Sequence, residues 1–128
     1  MNKYLAIFLI FLANGSAYSQ EALVPEYRDE DFIEFIQSSL VRAIGEEWDV
    51  AYMEGQIEVA ASGDFEVQAS YYYSPRSPYD DVRLFLSNTT ALHNAMAYIN
   101  KNAEDRGEEW SSFKLEFFPD ETHKLTTW

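Results

Sequence analysis

Residues 48–73 read WDVAYMEGQIEVAASGDFEVQASYYY, and this stretch decides the fold. Apolar and polar side chains alternate along both of its halves, as they do in strands that bury one face. Ser62-Gly63-Asp64 interrupts the alternation, and a short break of this composition between two such runs predicts a β-hairpin turn. The first strand is expected to start near Trp48 and to be bent or bulged at Gly55.

A helix is predicted on each side of this hairpin. The first begins at Asp29, has acidic residues in its first turns and is expected to end at Gly45. The second follows candidate N-cap residues at positions 87–89 and is expected to end at Gly107. Apolar side chains recur at helical spacing in both: Phe32, Ile33, Ile36, Leu40 and Ile44 in the first, and Leu92, Ala95, Met96, Ile99 and Ala103 in the second.

Three further strands complete the predicted sheet, at residues 82–86, 110–117 and 124–128. The two prolines within residues 74–81 predict a loop between the hairpin and the third strand. Strands joined by tight turns run antiparallel, and two amphipathic helices can cover one face of the resulting sheet. The sequence therefore predicts an α+β fold, a two-layer sandwich with the element order α-β-β-β-α-β-β and the helices on one face.

The N-terminus has the pattern of a cleavable signal peptide. Lys3 precedes an apolar run at residues 4–13, and small residues suitable for cleavage after Ala17 or Ser19 follow. The run is much shorter than the roughly 20 residues of a membrane-spanning helix, which makes an uncleaved anchor the weaker alternative. We therefore expect a signal peptide at residues 1–19, a lead-in at 20–28 and a single periplasmic or secreted domain at 29–128.

The composition limits the possible partners and chemistry. The 128 residues carry 22 acidic and 9 basic side chains, a net charge of −13, and loss of Lys3 with the signal would make it −14. Such a surface repels nucleic acid and anionic membranes and favours basic partners, although acidity can also serve solubility alone. The absence of cysteine excludes disulfides, thiol nucleophiles and thiolate zinc sites.

No motif in the sequence predicts catalysis. His93 and His123 lie on different predicted elements, near a helix start and in a turn, without the spacing of metal ligands. The sequence contains no serine-nucleophile motif and no phosphate-binding glycine loop. Its adjacent acids, such as Glu46-Glu47 and Glu108-Glu109, match neither a glycosidase pair nor a calcium-binding loop. We therefore predict a protein that is not an enzyme and holds no metal or cofactor.

The three tyrosines at residues 71–73 lead into the loop that carries Tyr79 and two aspartates. Alternation sends Tyr72 to the face opposite its two neighbours. Exposed tyrosine next to carboxylates suits a site for a basic protein surface. Tyr72, Tyr79, Asp80 and Asp81 are therefore the predicted partner-binding residues, and the alternative interpretation is an ordinary aromatic core beside a solvated loop.

The segment EWSSFKLEFFPDETHKL at residues 109–125 resembles the C-terminal signature of the YezG-like immunity proteins. In that signature a Trp followed by Ser or Thr opens an alternating strand that ends in an acid and Phe, and a short turn and Lys-Leu follow. The order of elements resembles the family from about Phe32 to Leu125. The resemblance implies a protein that binds and neutralises a cognate bacterial toxin, typically a nuclease, with no catalytic residues of its own.

The predicted signal peptide is a departure from that family, because an exported protein cannot guard cytosolic nucleic acid. The expected function is an exported immunity-type protein that neutralises a basic toxin or hydrolase, such as a wall hydrolase from a rival or a host lysozyme. The alternatives are a small exported ligand-binding module or hydrolytic enzyme with a helix–sheet cleft, or an envelope accessory protein. After signal cleavage no membrane contact is expected, and the oligomeric state stays open.

Overall fold

A computed structural model describes residues 27–76 and 79–128. The predicted signal peptide and all of the lead-in before Tyr27 lie outside the described residues. The elements, in chain order, are α1 (Asp29–Arg42), β1 (Trp48–Val59), β2 (Phe65–Pro75), β3 (Val82–Leu84), α2 (Thr89–Asp105), β4 (Ser112–Phe117) and β5 (His123–Thr127). This order confirms the predicted α-β-β-β-α-β-β arrangement.

The five strands form one antiparallel sheet in the order β3-β2-β1-β4-β5. The hairpin of β1 and β2 supplies its centre, and β4 adds to the other side of β1 with β5 beyond it. Together with the two helices this sheet makes the α+β fold that the sequence predicts.

Gly63 closes the central hairpin with a φ of 88°, a left-handed conformation that glycine adopts without steric cost. The Ala60 amide donates to the Asp64 carbonyl at 2.7 Å, and the Gly63 amide donates to the Ala60 carbonyl at 2.9 Å. These bonds set the register in which Tyr52 faces Tyr72.

The predicted bend at Gly55 is wrong, because the only irregularity in the β1–β2 register lies between Trp48 and Val50. Gly55 pairs regularly with Ala69, and a Cβ at Gly55 would lie 1.9 Å from the Gln68 carbonyl oxygen. Glycine is required here for a close approach of two backbones, which is the other role of glycine within a strand.

Both helices pack on the face of the sheet that carries the odd-numbered side chains of β1, β2 and β4. Burying a large apolar side chain of this kind stabilises a fold by about 1.5–3 kcal/mol. The fully buried large side chains are Phe113, Phe117, Ile36, Leu40, Met53, Leu92, Met96, Ile99 and Leu115. The helices are also joined by polar contacts, since Asn88 donates to the Ser39 hydroxyl at 3.0 Å and Asn102 donates to Asp29 at 2.9 Å.

Several element boundaries differ from those predicted. Helix α1 ends at Arg42 rather than Gly45, because the next two amides bond to carbonyls only three residues back and tighten the last turn. Strand β3 stops at Leu84 instead of residue 86, and β4 begins at Ser112 instead of 110. His123, predicted in a turn, is the first residue of β5.

Helix α2 confirms both predicted ends. Asn88 is its N-cap, although the Asn88 side chain binds the other helix instead of a free amide of α2. Gly107 follows the last turn with a φ of 77°, and its amide donates to the Glu104 carbonyl at 2.9 Å. Neither helix of the described part of the chain combines the length and apolarity that crossing a membrane requires.

Candidate binding surface

The even-numbered side chains of the central strands lie on the face of the sheet turned away from both helices. We call this the open face and define it by Tyr52, Glu54, Gln56, Ser70, Tyr72, Arg83, Lys114 and Glu116. In β1, β2 and β4 alternation places these residues there, because their odd-numbered neighbours face the core. Arg83 of β3 lies on the same face because it is paired with Tyr72.

Tyr52 occupies the centre of the aromatic part of the open face. Its ring stacks on the ring of Tyr72 with 5.3 Å between the centroids, and the two residues are directly paired across β1 and β2. The ammonium of Lys114 lies 4.5 Å from the Tyr52 ring centroid, a cation–π distance. With contacts on both sides, Tyr52 retains only 9 % of its exposure.

The loop before β3 is tied to this aromatic pair through Asp81. The Tyr52 hydroxyl donates to Asp81 Oδ2 at 2.6 Å, and the Ser74 hydroxyl donates to Asp81 Oδ1 at 2.5 Å. Each carboxylate oxygen therefore accepts a bond from a different strand. These two hydrogen bonds fix the position of the loop relative to the sheet.

These hydrogen bonds shift the pKa values of Asp81 and Tyr52. The hydrogen bond from Ser74, then the one from Tyr52, and the charge of Lys114 lower the pKa of Asp81 against a smaller effect of burial. Burial, followed by the bond to Asp81, raises the pKa of Tyr52. At neutral pH the surface therefore carries an ionised Asp81 held by a protonated tyrosine.

Tyr79 and Asp80 lie in the same loop and face solvent. Tyr79 is 73 % exposed and Asp80 is exposed as well. Beyond β3 the ring of Phe85 is 85 % exposed, with the Arg83 guanidinium 5.3 Å from its centroid. Exposed aromatic rings thus flank the carboxylates at the β3 end of the open face.

The structure brings the four predicted site residues to one end of the sheet. Tyr72 faces away from Tyr71 and Tyr73, which are buried at 4 % and 7 % exposure. Asp81 accepts a hydrogen bond from Tyr52, whose ring stacks on that of Tyr72. Tyr79 and Asp80 lie in the same loop as Asp81 but make no described hydrogen bond to the sheet. The contribution of Tyr52, Ser74 and Lys114 was not predicted from the sequence.

His93 belongs to a different place, on the helical side of the sheet. Its ring stacks on Tyr71 at 6.1 Å, and burial lowers its pKa. The hydroxyl of Tyr71 is buried and has no hydrogen-bond partner among the described residues. Within residues 27–76 and 79–128, no group of three or more metal-binding side chains is clustered.

Each of the three pairs of adjacent acids has at least one member with a local partner, and in the pair of Asp80 and Asp81 it is Asp81. Glu46 accepts a bond from the Tyr73 hydroxyl at 2.5 Å, and Glu47 forms an ion pair with Arg76 at 3.1 Å. Glu108 lies 3.6 Å from Arg106. These contacts explain the acids as local structural groups.

Two depressions lined by described residues are open to solvent. One of 470 Å³ lies at the other end of the open face and is lined by Glu54, Gln56, Gln68, Ser70, Ser112 and Trp128, with the backbone at Gly55 as part of its floor. The other, of 330 Å³, runs between the helices and β5 and includes Ile99, Ala103, Trp110, Leu125 and the acids Asp29, Glu108 and Glu109.

Comparison with known proteins finds no family model that matches this chain and no curated protein that is similar to it. The resemblance to the YezG-like immunity proteins accordingly stays a prediction.

Proposed function

We propose that this protein is an exported immunity-type inhibitor that binds and neutralises a basic toxin or hydrolase through Tyr72, Tyr79, Asp80 and Asp81. The observation that supports this most is the tie of Asp81 to Tyr52 and Ser74. It holds a carboxylate and a stacked tyrosine pair together beside an exposed tyrosine.

This arrangement suits protein recognition for two physical reasons. Tyrosine supplies a large contact area and loses few torsions on binding, so an exposed ring such as Tyr79 is a good anchor. The Tyr52 and Ser74 bonds restrain Asp81 before a partner arrives, which lowers the ordering cost of association.

Charge supports a basic partner. The net charge of −13 attracts a cationic protein over distances of about the Debye length, roughly 8–10 Å at ordinary ionic strength. Asp80 and the ionised Asp81 then offer acceptors to Lys or Arg side chains at the contact itself. Steering of this kind raises the association rate more than it raises the final affinity.

The partner class follows from the predicted signal peptide at residues 1–19. A protein in the periplasm meets enzymes that act on the envelope, so a basic wall hydrolase is a better target than a nuclease. The proposal uses no catalytic residue of this chain and no cofactor.

The first experiment captures partners on the immobilised protein, from envelope extracts of the producing strain and its competitors. A captured basic protein must lose its activity when the inhibitor is added in equal amount. Recovery of no partner that is neutralised on binding would rule out the inhibitor function.

Site variants then locate the contact. Asp80→Lys reverses an exposed charge that makes no described bond, so it leaves the fold intact and should slow association and reduce its salt dependence. Glu104→Lys makes the same change of charge on the exposed surface of α2 and serves as the matched control. Equal association rates for the two variants would show that the partner binds to another part of the surface and not to this loop.

One observation favours the alternative of a ligand-binding module. The 470 Å³ depression is lined by the amides of Gln56 and Gln68 and by the Trp128 ring, groups that can bind a polar small molecule. Substitution of Gln68 with Ala would weaken the binding of such a ligand and would leave the binding of a basic protein at Tyr79 unchanged.

A further inference from the structure

The 470 Å³ depression on the open face is crossed by one straight row of side chains. Gln56 of β1 pairs with Gln68 of β2 on one side and with Ser112 of β4 on the other. Ser112 exchanges both of its backbone bonds with Trp128, at 3.0 and 3.1 Å, so the row continues to the outer edge of the sheet. Residues that are paired directly across antiparallel strands present their side chains on the same face, and all four of these residues line the depression.

The row is long enough for a ligand that consists of a short chain of rings. Neighbouring strands lie about 4.8 Å apart, so the row spans roughly 14 Å from Gln68 to Trp128. The side chains of Ser70 and Ser112 are short, which allows a ligand to lie close to the backbone of the strands. The depression therefore suits an extended ligand that lies across the strands.

The polar groups of the depression are available to a ligand. Gln56 and Gln68 are exposed, and Ser70 and Ser112 are half-exposed. Within the part of the chain that the structure describes, no hydrogen bond joins these four side chains to another residue. Amides and hydroxyls each donate and accept hydrogen bonds, so they match a ligand whose own groups also do both.

The charges near the depression oppose an anionic ligand. Glu54 is the one charged side chain among the described residues that line it. Glu58 pairs with Glu66 further along the same face, towards the hairpin turn. A phosphate or a carboxylate would be repelled by these three acids. A cation would be attracted, but it only donates hydrogen bonds and so gives the donors of the amides and hydroxyls no acceptor.

Trp128 adds an aromatic ring at the edge of the sheet. The residue is 67 % exposed, so a ligand can reach its ring. The negative face of an indole attracts the weakly positive C–H groups on the flat side of a sugar ring. A lipid would need more apolar surface than one ring supplies, whereas a sugar combines such a flat side with hydroxyls that donate and accept.

We propose that the depression binds a neutral saccharide, with the Trp128 ring stacked on one sugar ring and the amides of Gln56 and Gln68 bonded to hydroxyls of the next. This site gives a ligand class to the depression and does not depend on the inhibitor function, which uses the loop with Tyr79. A failure of either proposal therefore leaves the other unaffected.

Titration followed by heteronuclear NMR tests the site on the unaltered protein. The probes are three neutral trisaccharides, namely triacetylchitotriose, cellotriose and maltotriose, at millimolar concentration. At least one of them should shift the side-chain amide signals of Gln56 and Gln68 and the indole N–H signal of Trp128. Choline and inorganic phosphate are the cationic and anionic comparisons, and neither should shift these signals.

Two variants measure what the row contributes to affinity. Trp128→Ala removes the stacked ring and should raise the Kd of the bound trisaccharide at least about tenfold. Gln56→Ala removes one hydrogen-bonding side chain and should raise it about fivefold. The matched controls are Phe85→Ala, at an exposed ring beyond β3, and Gln37→Ala, on α1. Both controls should leave Kd within about twofold of the original value.

Several results would overturn the saccharide site. The first is the absence of shifts at Gln56, Gln68 and Trp128 with all three trisaccharides. Shifts of these signals by choline or phosphate alone would assign the depression to a charged ligand instead. Shifts confined to the loop from Tyr79 to Asp81, or an equal loss of affinity in the site variants and their controls, would show that the saccharide binds elsewhere.

Discussion

Tyr52→Phe isolates the bond that ties the loop to the sheet. The substitution removes the hydroxyl that donates to Asp81 at 2.6 Å and keeps the ring that stacks on Tyr72. A hydrogen bond to a charged group contributes about 1.5–3 kcal/mol when it is shielded from water. Asp81 is exposed and keeps its bond to Ser74, so we expect a loss of about 1 kcal/mol.

The pH dependence of this loss follows from the lowered pKa of Asp81. A carboxyl whose pKa is lower in the folded state stabilises the fold above its unfolded pKa, near 3.8, and the stabilisation disappears as the pH falls further. The difference between Tyr52→Phe and the original protein should therefore be complete at pH 7 and shrink below about pH 4.

Chemical denaturation at several pH values measures this difference. Tyr72→Phe is the matched control, because it removes a hydroxyl from the same face that has no described hydrogen bond. A double-mutant cycle with Asp81→Ala, which removes the acceptor, should give a coupling of about 1 kcal/mol at neutral pH. Equal stability of Tyr52→Phe and Tyr72→Phe, or a coupling near zero, would show that the hydrogen bond between Tyr52 and Asp81 does not stabilise the fold.

Three further outcomes test the interior. Gly55→Ala would place a Cβ 1.9 Å from the Gln68 carbonyl oxygen, so thermal unfolding should show a loss of at least about 2 kcal/mol, whereas Gly45→Ala, in open space, should change stability little. Tyr71→Phe removes a buried hydroxyl without a described partner and should raise the free energy of unfolding by about 1 kcal/mol in denaturant titrations; a loss would reveal a hidden partner. Because burial raises the pKa of Tyr71 above its ordinary 10.0, stability should fall as the pH rises past that value, and an equally steep fall in Tyr71→Phe would assign it to other groups.

The fold was predictable because each element had a local pattern. Alternation around Gly63 and helical spacing after Asp29 identified the hairpin and α1. The end of α1 was missed because Ile44 packs on the core although it lies beyond the helix, so the apolar stripe continues past Arg42. The spacing of apolar residues shows which residues are buried. It locates the end of a helix only where the run of buried residues ends at the same position.

The candidate site was predictable only in part. Alternation alone placed Tyr72 on the open face. Its pairing with Tyr52 depends on the centre of the turn, and a turn centred on Gly63 would have set Tyr52 opposite Ser74 instead. The true turn, closed by the bond between Ala60 and Asp64, shifts the register.

The hydrogen bond between Tyr52 and Asp81 could not be predicted from any pattern in the sequence. The two residues are 29 positions apart, and their contact depends on the path of an irregular loop. The same holds for Lys114, which reaches the Tyr52 ring because β4 pairs with β1 across the whole of α2. Contacts of this kind follow from the assembled sheet and not from local periodicity.

Hydrogen–deuterium exchange of the protein, free and bound to a basic partner that it neutralises, tests the central claim most directly. The proposed function predicts protection on binding in β2 around Tyr72 and in the loop from Tyr79 to Asp81, with α1 and α2 unchanged. Protection confined to the helices, with the loop exchanging as fast as in the free protein, would contradict it.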